Sequence, residues 1–231
     1  MGAVLTVAVV VPYRSDGGGP RDRNWGALAA RWRANFPGWE LCAGVHADGP
    51  WCKAEAAAVA LEGCTADVLV VADADVWCEP AQALLDAVTL VRTGRRQWVV
   101  PHRNVARLSE AGTARWLAGE RDGLDLDQAP YRGVAGGGLL VVARSSWELL
   151  GGFDPRFRGW GGEDRALGMA ADVLLGRHHR LRGTLWHLWH PPQPRLTRAV
   201  GSREGQRLLA EYRHAGRDRA RMAELVERRE V

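Results

Sequence analysis

The segment Gly151-Gly152-Phe153-Asp154-Pro155-Arg156-Phe157-Arg158-Gly159-Trp160-Gly161-Gly162-Glu163-Asp164 combines residue types that a packed core does not need. Glycine costs backbone entropy and packs nothing. Here glycines flank aromatics and lead into adjacent carboxylates, a composition suited to a loop that closes over a ligand and uses an acid. Far upstream, Asp73-Ala74-Asp75 ends an apolar run. Two acids in such a place suit a hard cation, Mn²⁺ or Mg²⁺, that also binds phosphate oxygens. Their rival role is to form a solvated turn before the next helix. Together the two segments point to a metal-dependent enzyme acting on a nucleotide-activated substrate.

Other residues could join that chemistry. His187 and His190 follow a late strand-like segment, and an imidazole is a good third ligand beside carboxylates. They could equally hydrogen-bond within the tryptophan packing around them, and their spacing does not choose. No cysteine pair or HExxH pattern accompanies them, which disfavours zinc. In an extended loop Glu163 and Asp164 point opposite ways, so one could orient an acceptor while the other removes its proton. As a helix start they would simply be stabilised by its dipole. Trp160 between glycines suits a lid or a stacking platform for a sugar ring. Gly136-Gly137-Gly138 fits neither G-x-G-x-x-G nor the P-loop. It lets backbone approach a ligand, at Gly137 for instance, or forms a turn. Arg14, after Pro12-Tyr13, could meet a nucleotide, and Asp48 could accept hydrogen bonds from a base; both also read as ordinary loop residues.

The elements that must hold these groups follow from hydrophobic patterning. The continuous Val-rich run at 6–11 reads as a strand covered on both faces, and 39–45, 67–72, 97–101, 139–143 and 180–186 read as further strands. Helical spacing appears at 24–36, 52–62, 80–93, 109–123, 145–150, 165–175 and 202–230. The alternation predicts an α/β fold with a central, mostly parallel sheet flanked by helices. Acids at the end of a buried strand then lie at the usual ligand edge of such a sheet. We expect one domain over 1–195, with a nucleotide-binding half at 1–101 and an acceptor half at 102–195, followed by a charged helical extension at 196–231.

Composition sets the class. The chain has 231 residues, 46% apolar and 25% charged, which is ordinary for a globular protein. The net charge is +4, and Lys53 is the only lysine. Arginine suits phosphate, so a nucleotide diphosphate would match this bias. The cysteines, Cys42, Cys52, Cys64 and Cys78, lack a CxxC spacing and read as free thiols in a reducing compartment. No apolar run is long enough to span a bilayer, and the start lacks the basic region of a signal peptide. We therefore expect a cytoplasmic protein without a transmembrane segment.

Asp-Ala-Asp after a Val-rich strand, the Gly-Gly-Phe-Asp…Gly-Trp-Gly-Gly-Glu-Asp block and a late histidine resemble the GT-A glycosyltransferases. The resemblance is to β-1,4-galactosyltransferases, polypeptide N-acetylgalactosaminyltransferases and chondroitin-type polymerases, and to small actinobacterial or actinophage proteins of this kind. It covers most of 4–192. It implies a Rossmann-like GT-A fold and an inverting transfer from a nucleotide-sugar donor, a UDP-sugar in most of the family, to a hydroxyl acceptor. It further implies that Asp75 ligates Mn²⁺ with His187 or His190, and that Asp73 lies near the ribose or metal. Asp164 would be the base, Glu163 would hold the acceptor, Trp160 would sit between the substrates, and Pro12, Arg14 and Asp48 would line the nucleotide pocket. We expect none of the anchor, stem or lectin domain of membrane-bound members, which leaves the acceptor class open.

Two rivals remain. A nucleotidyltransferase could use the same acids, but it would need an early phosphate loop, of which Ser15-Asp16-Gly17-Gly18-Gly19-Pro20-Arg21 is a poor version. A nucleic-acid-binding module could use the arginines and eleven tryptophans. It leaves two acidic motifs unexplained. Among acceptors, a glycan or small molecule is the default, and a hydroxylated DNA base is the alternative.

Overall fold

The computed structural model describes residues 5–159, 161–191 and 201–229. Trp160 and the expected domain boundary at 195 lie outside the described residues. Seven strands form one sheet: β1 (Val7–Tyr13), β2 (Glu40–Val45), β3 (Val68–Ala72), β4 (Val76–Glu79), β5 (Trp98–Arg107), β6 (Leu139–Ala143) and β7 (His179–His187). The helices are α1 (Pro20–Asn35), α2 (Lys53–Leu61), α3 (Ala81–Arg92), α4 (Glu110–Leu117), α5 (Arg144–Leu149), α6 (Glu163–Leu174), α7 (Gly201–Ala215) and α8 (Arg219–Glu227).

The strand order is β2-β1-β3-β6-β5-β7-β4. β1 runs parallel to β2 and β3, and β5 parallel to β7. β6 enters antiparallel between β3 and β5, and β4 pairs antiparallel with β7 at the edge. The parallel strands' C-termini and the N-termini of β4 and β6 therefore share one edge. Period-two alternation gives each face its own core. Val7, Val9 and Val11 pack with Leu28 and Trp32 of α1, Leu84 of α3 and Trp116 of α4. Ala8 and Val10 face the other way, into a core built from α2, α5, α6, α7 and α8. Burial on both sides explains why β1 and β3 read as unbroken apolar runs.

Several boundaries differ from expectation for local reasons. α1 begins at Pro20, four residues early, because proline at the first helical position needs no N–H partner. β5 continues past Pro101 to Arg107: the ladder shifts register between Val100 and His102, and a bulge tolerates a residue without an N–H. α4 stops at Leu117, before Gly119 at φ 101°. The expected single C-terminal helix is two helices. Gly216 breaks it at φ 56°, and Asp218 then caps α8 by accepting from the amides of Ala220 and Arg221. β4 was not expected, since four residues between an acidic turn and a proline carry no periodic signal. Among the described residues no helix is long and apolar enough to cross a membrane.

β2 lies close against α2 at Gly44, where a Cβ would stand 1.9 Å from the carbonyl oxygen of Ala56 and 2.3 Å from the amide of Ala60. Gly44→Ala should therefore destabilise the protein by about 1–3 kcal/mol through overpacking. Urea unfolding checks this, and an unchanged midpoint contradicts it.

Candidate active site

The shared sheet edge gathers the acidic and imidazole side chains. After β3 the backbone turns, with the Val76 amide 3.4 Å from the Asp73 carbonyl. The extended geometry that would send both aspartates to one side is therefore absent, and the Asp-Ala-Asp segment serves two clusters. Backbone bonds fix its position: Asp73 N–H donates to Gly138 O at 2.8 Å and Leu188 N–H to Asp75 O at 2.8 Å.

The first cluster is Asp75, His187 and His190, whose ligand atoms all lie within 4.8 Å of one another. Asp75 Oδ2 is 2.9 Å from His190 Nε2, and Asp75 Oδ1 is 3.9 Å from His187 Nε2. That second separation is too long for a hydrogen bond, and Oδ1 is buried without a partner. His190 Nδ1 lies 2.9 Å from Pro191 O, which can only accept, so Nδ1 carries a proton. Nε2 then faces a carboxylate with its lone pair unless a second proton or a cation intervenes. Burial opposes the charged form of His190, but the Asp75 bond outweighs it and raises its pKa. Burial pushes His187 down despite Asp75. Burial also opposes charge on Asp75, yet His187 and then His190 hold its carboxyl well below the usual range. One anionic oxygen and two imidazoles at this separation fit a divalent cation such as Mn²⁺. The surrounding chain holds them in place: Asn24 donates to Trp189 O at 2.8 Å, and Trp189 N–H donates to Thr113 Oγ1 at 2.7 Å. A second possible ligand group, Glu40, Cys42 and Cys64, lies at β2 and the turn after α2.

The second cluster centres on Lys53, the first residue of α2. Its ammonium is 2.6 Å from Asp73 Oδ1 and 2.7 Å from Asp164 Oδ1, with the Phe153 ring 4.7 Å away. Burial alone would discharge this lysine; the field of Asp164, then Asp73 and Glu163, outweighs it and raises its pKa. Asp164 is pushed up to about 7, by burial first and then by Glu163 and Asp73, against the pull of Lys53. Burial also raises Glu163, whose Oε2 has no hydrogen-bond partner. Both acids occupy the first turn of α6, where no side chain caps the helix and its dipole favours negative charge. Lys53 was not among the expected site residues. Its signal was its uniqueness: the one lysine in an arginine-rich chain opens a helix.

The three glycines before β6 make room for this arrangement. A Cβ at Gly136 would stand 2.2 Å from Asp164 O and 2.7 Å from Gly168 N, and one at Gly137 would stand 2.8 Å from Asp164 Oδ2. Backbone thus lies directly against the start of α6. The other expected residues have different surroundings. Arg14 donates to the carbonyls of His46, Asp48 and Gly49 at 2.7, 3.0 and 2.9 Å, so its guanidinium shapes the loop after β2. The Asp48 side chain is exposed, and Pro12 is buried in β1 beside Gly44. In the loop 15–19, the amides of Asp16 and Gly18 donate to the Asp22 carboxylate, at 3.1 and 2.6 Å. These amides are engaged within the protein rather than presented to a phosphate.

Residues 127–171 match a family model described as the N-terminal domain of galactosyltransferase. That segment contains Gly136–Gly138, Glu163 and Asp164. No curated protein matches the chain. Among solved structures, GalNAc-T7 with UDP, GalNAc and Mn²⁺ is 14% identical with a TM-score of 0.58, over 97% of this chain. The chain spans only 55% of that protein's length. The catalytic domain of Drosophila β1,4-galactosyltransferase 7 with xylobiose is 15% identical at a TM-score of 0.52, covering 88% of this chain and 80% of the other. Glucosyl-3-phosphoglycerate synthase from Mycobacterium tuberculosis with Mn²⁺ and UDP-glucose is 18% identical at 0.53, covering 94% and 79%. The chain has the GT-A glycosyltransferase fold, and the galactosyltransferase model matches its 127–171 segment.

Two outcomes follow from this geometry. Mn²⁺ at about a hundred times its dissociation constant should stabilise the wild type by about 2.7 kcal/mol, and Asp75→Ala should lose that gain in a thermal shift. An equal shift in both proteins places the metal elsewhere. Asp164 titrates at about 7 when folded, against about 3.9 when unfolded. The folded state binds the extra proton in that window, so Asp164 costs stability as pH rises through it. Asp164→Asn should therefore gain stability over wild type between about pH 4 and pH 7, as read by urea unfolding. Parallel profiles for the two proteins would contradict the raised pKa.

Proposed function

We propose that this protein is a metal-dependent, inverting glycosyltransferase that moves a sugar from a UDP-sugar to the hydroxyl of a glycan or small molecule. The observation that carries this reading is the division of labour within Asp-Ala-Asp. Asp75 faces two imidazoles while Asp73 is joined through Lys53 to Asp164. Three candidate cation ligands and a carboxyl with a raised pKa thus share one sheet edge. The fold and the galactosyltransferase-type segment support the reading, as do the Mn²⁺ and UDP-glucose named for one similar structure. In this reading 1–101 forms the donor half and 102–195 the acceptor half. The free cysteines support a cytoplasmic location.

Asp164 takes the acceptor proton as the acceptor oxygen bonds to the anomeric carbon. The bond from that carbon to the diphosphate oxygen breaks on the opposite face, which inverts the configuration. A carboxylate with a pKa of about 7 suits this task, since it is both partly ionised and a useful base near neutral pH. Glu163 has a buried, unpartnered oxygen that can accept from the acceptor. Asp75, His187 and His190 would hold Mn²⁺ or Mg²⁺, which when bound supplies Lewis-acid neutralisation of the departing diphosphate. Lys53 keeps Asp73 and Asp164 together before substrates arrive. In this reading Pro12, Arg14, Asp48 and Gly137 would line the donor side, and Trp160 would act as the lid.

The engaged amides of the loop 15–19 speak against a nucleotidyltransferase. The tail arginines give little support to a DNA acceptor, because α7 and α8 pack on the body of the protein instead of forming a free arm.

A thermal-shift panel of nucleotide sugars with and without Mn²⁺ tests the donor. One UDP-sugar should stabilise the protein only with metal. Asp164→Asn should keep that shift while transfer falls about 10²–10⁴-fold. Loss of donor binding in the variant, or stabilisation by a nucleoside triphosphate alone, would count against this function.

A further inference from the structure

The loop that leads to Glu163 and Asp164 rests on α7 and α8. Arg229, just beyond α8, is buried. Its Nη1 donates to the carbonyls of Leu150 and Gly152 at 2.6 and 2.8 Å, and its Nε and Nη2 to Tyr212 Oη at 2.9 and 2.7 Å. Tyr212, in α7, donates in turn to Asp154 Oδ2 at 2.8 Å. The Asp154 side chain is fully buried and also pairs with Arg156 at 2.7 Å, while Arg156 donates to Leu225 O in α8 at 3.0 Å. Further along the loop, a Cβ on Gly205 of α7 would stand 3.7 Å from Gly161 O, and the Phe157 and Tyr212 rings are 6.3 Å apart.

This network is unlike a solvated helix surface. The tyrosine hydroxyl accepts twice and donates once, which uses its full capacity. The guanidinium spans the two positive-φ glycines, Gly151 and Gly152, that start the loop. Those glycines would otherwise leave the loop free to swing. A buried, charge-assisted network of this kind sets geometry as well as stability.

We propose that Arg229 and Tyr212 are positioning residues that set the loop 151–162 and thereby the placement of Glu163 and Asp164, making the C-terminal helix pair part of the transfer apparatus. The kinetic part of this proposal rests on the glycosyltransferase reading; the structural part does not.

The test uses the full chain with Tyr212→Phe, Arg229→Met and Arg229→Lys, and with the exposed Arg213→Ala as control. Hydrogen exchange by mass spectrometry should show loop 151–162 amides exchanging about tenfold faster in Tyr212→Phe and Arg229→Met, with β1 and β3 unchanged. Arg229→Lys should fall between them and wild type. With the donor identified, kcat should fall about tenfold while donor KM stays within about twofold, as for lost orientation at an intact binding site. If Arg229→Met does not fold, Tyr212→Phe carries the test, since it removes one hydroxyl. Unchanged loop exchange, or faster exchange spread equally over the whole protein, overturns the proposal. So does a kcat no lower than that of Arg213→Ala. A wild type that transfers no sugar would sink the functional reading and leave the exchange result to judge the anchor.

Discussion

A single buried ammonium holds the two ends of this site together. Lys53 stands between Asp73, at the end of β3, and Asp164, at the start of α6. Without it three carboxylates would face one another in a poorly solvated space, and their repulsion would push the strand end and the helix start apart. Charge burial on this scale is costly unless paired. The pairing is incomplete, three acids to one base, so Lys53 does not offset the burial that lifts Asp164 toward neutrality, and Glu163 and Asp73 add to that lift.

The scaffold's task is to bring remote segments to one edge. Parallel strands β1 and β3 end there, and β4 and β6 begin there because they run the other way. That is why residues as distant as Asp75 and His187 meet: Val76 pairs with His187 across the β4–β7 ladder. Glycine at 136 and 168 then allows loop and helix backbone to touch, which places Asp164 without any side chain between.

Much of this could be read before any coordinates. The central strands β1, β3 and β6 announce themselves by unbroken apolar, valine-rich runs, and the acids and histidines stand out by type. What could not be read depends on contacts between segments. The split of Asp73 from Asp75 arises from a turn that only the β4–β7 pairing imposes. Lys53 looked like an isolated charge because its partners are 20 and 111 positions away. The role of Arg14 was open for the same reason, since three of its four hydrogen-bond partners are carbonyls, which carry no sequence signature. The C-terminal helices read as charged surface because exposed arginines outnumber the one that is buried, Arg229.

The solitary lysine has a practical meaning. In most proteins amine-directed reagents report on a crowded, diffuse surface. Here the only side-chain amine is sealed between two carboxylates at the centre of the site. Acylation of that amine is therefore a clean reporter of how often its pairing with Asp73 and Asp164 opens, with no background from other lysines. The protein carries, by composition alone, a built-in probe of its own breathing.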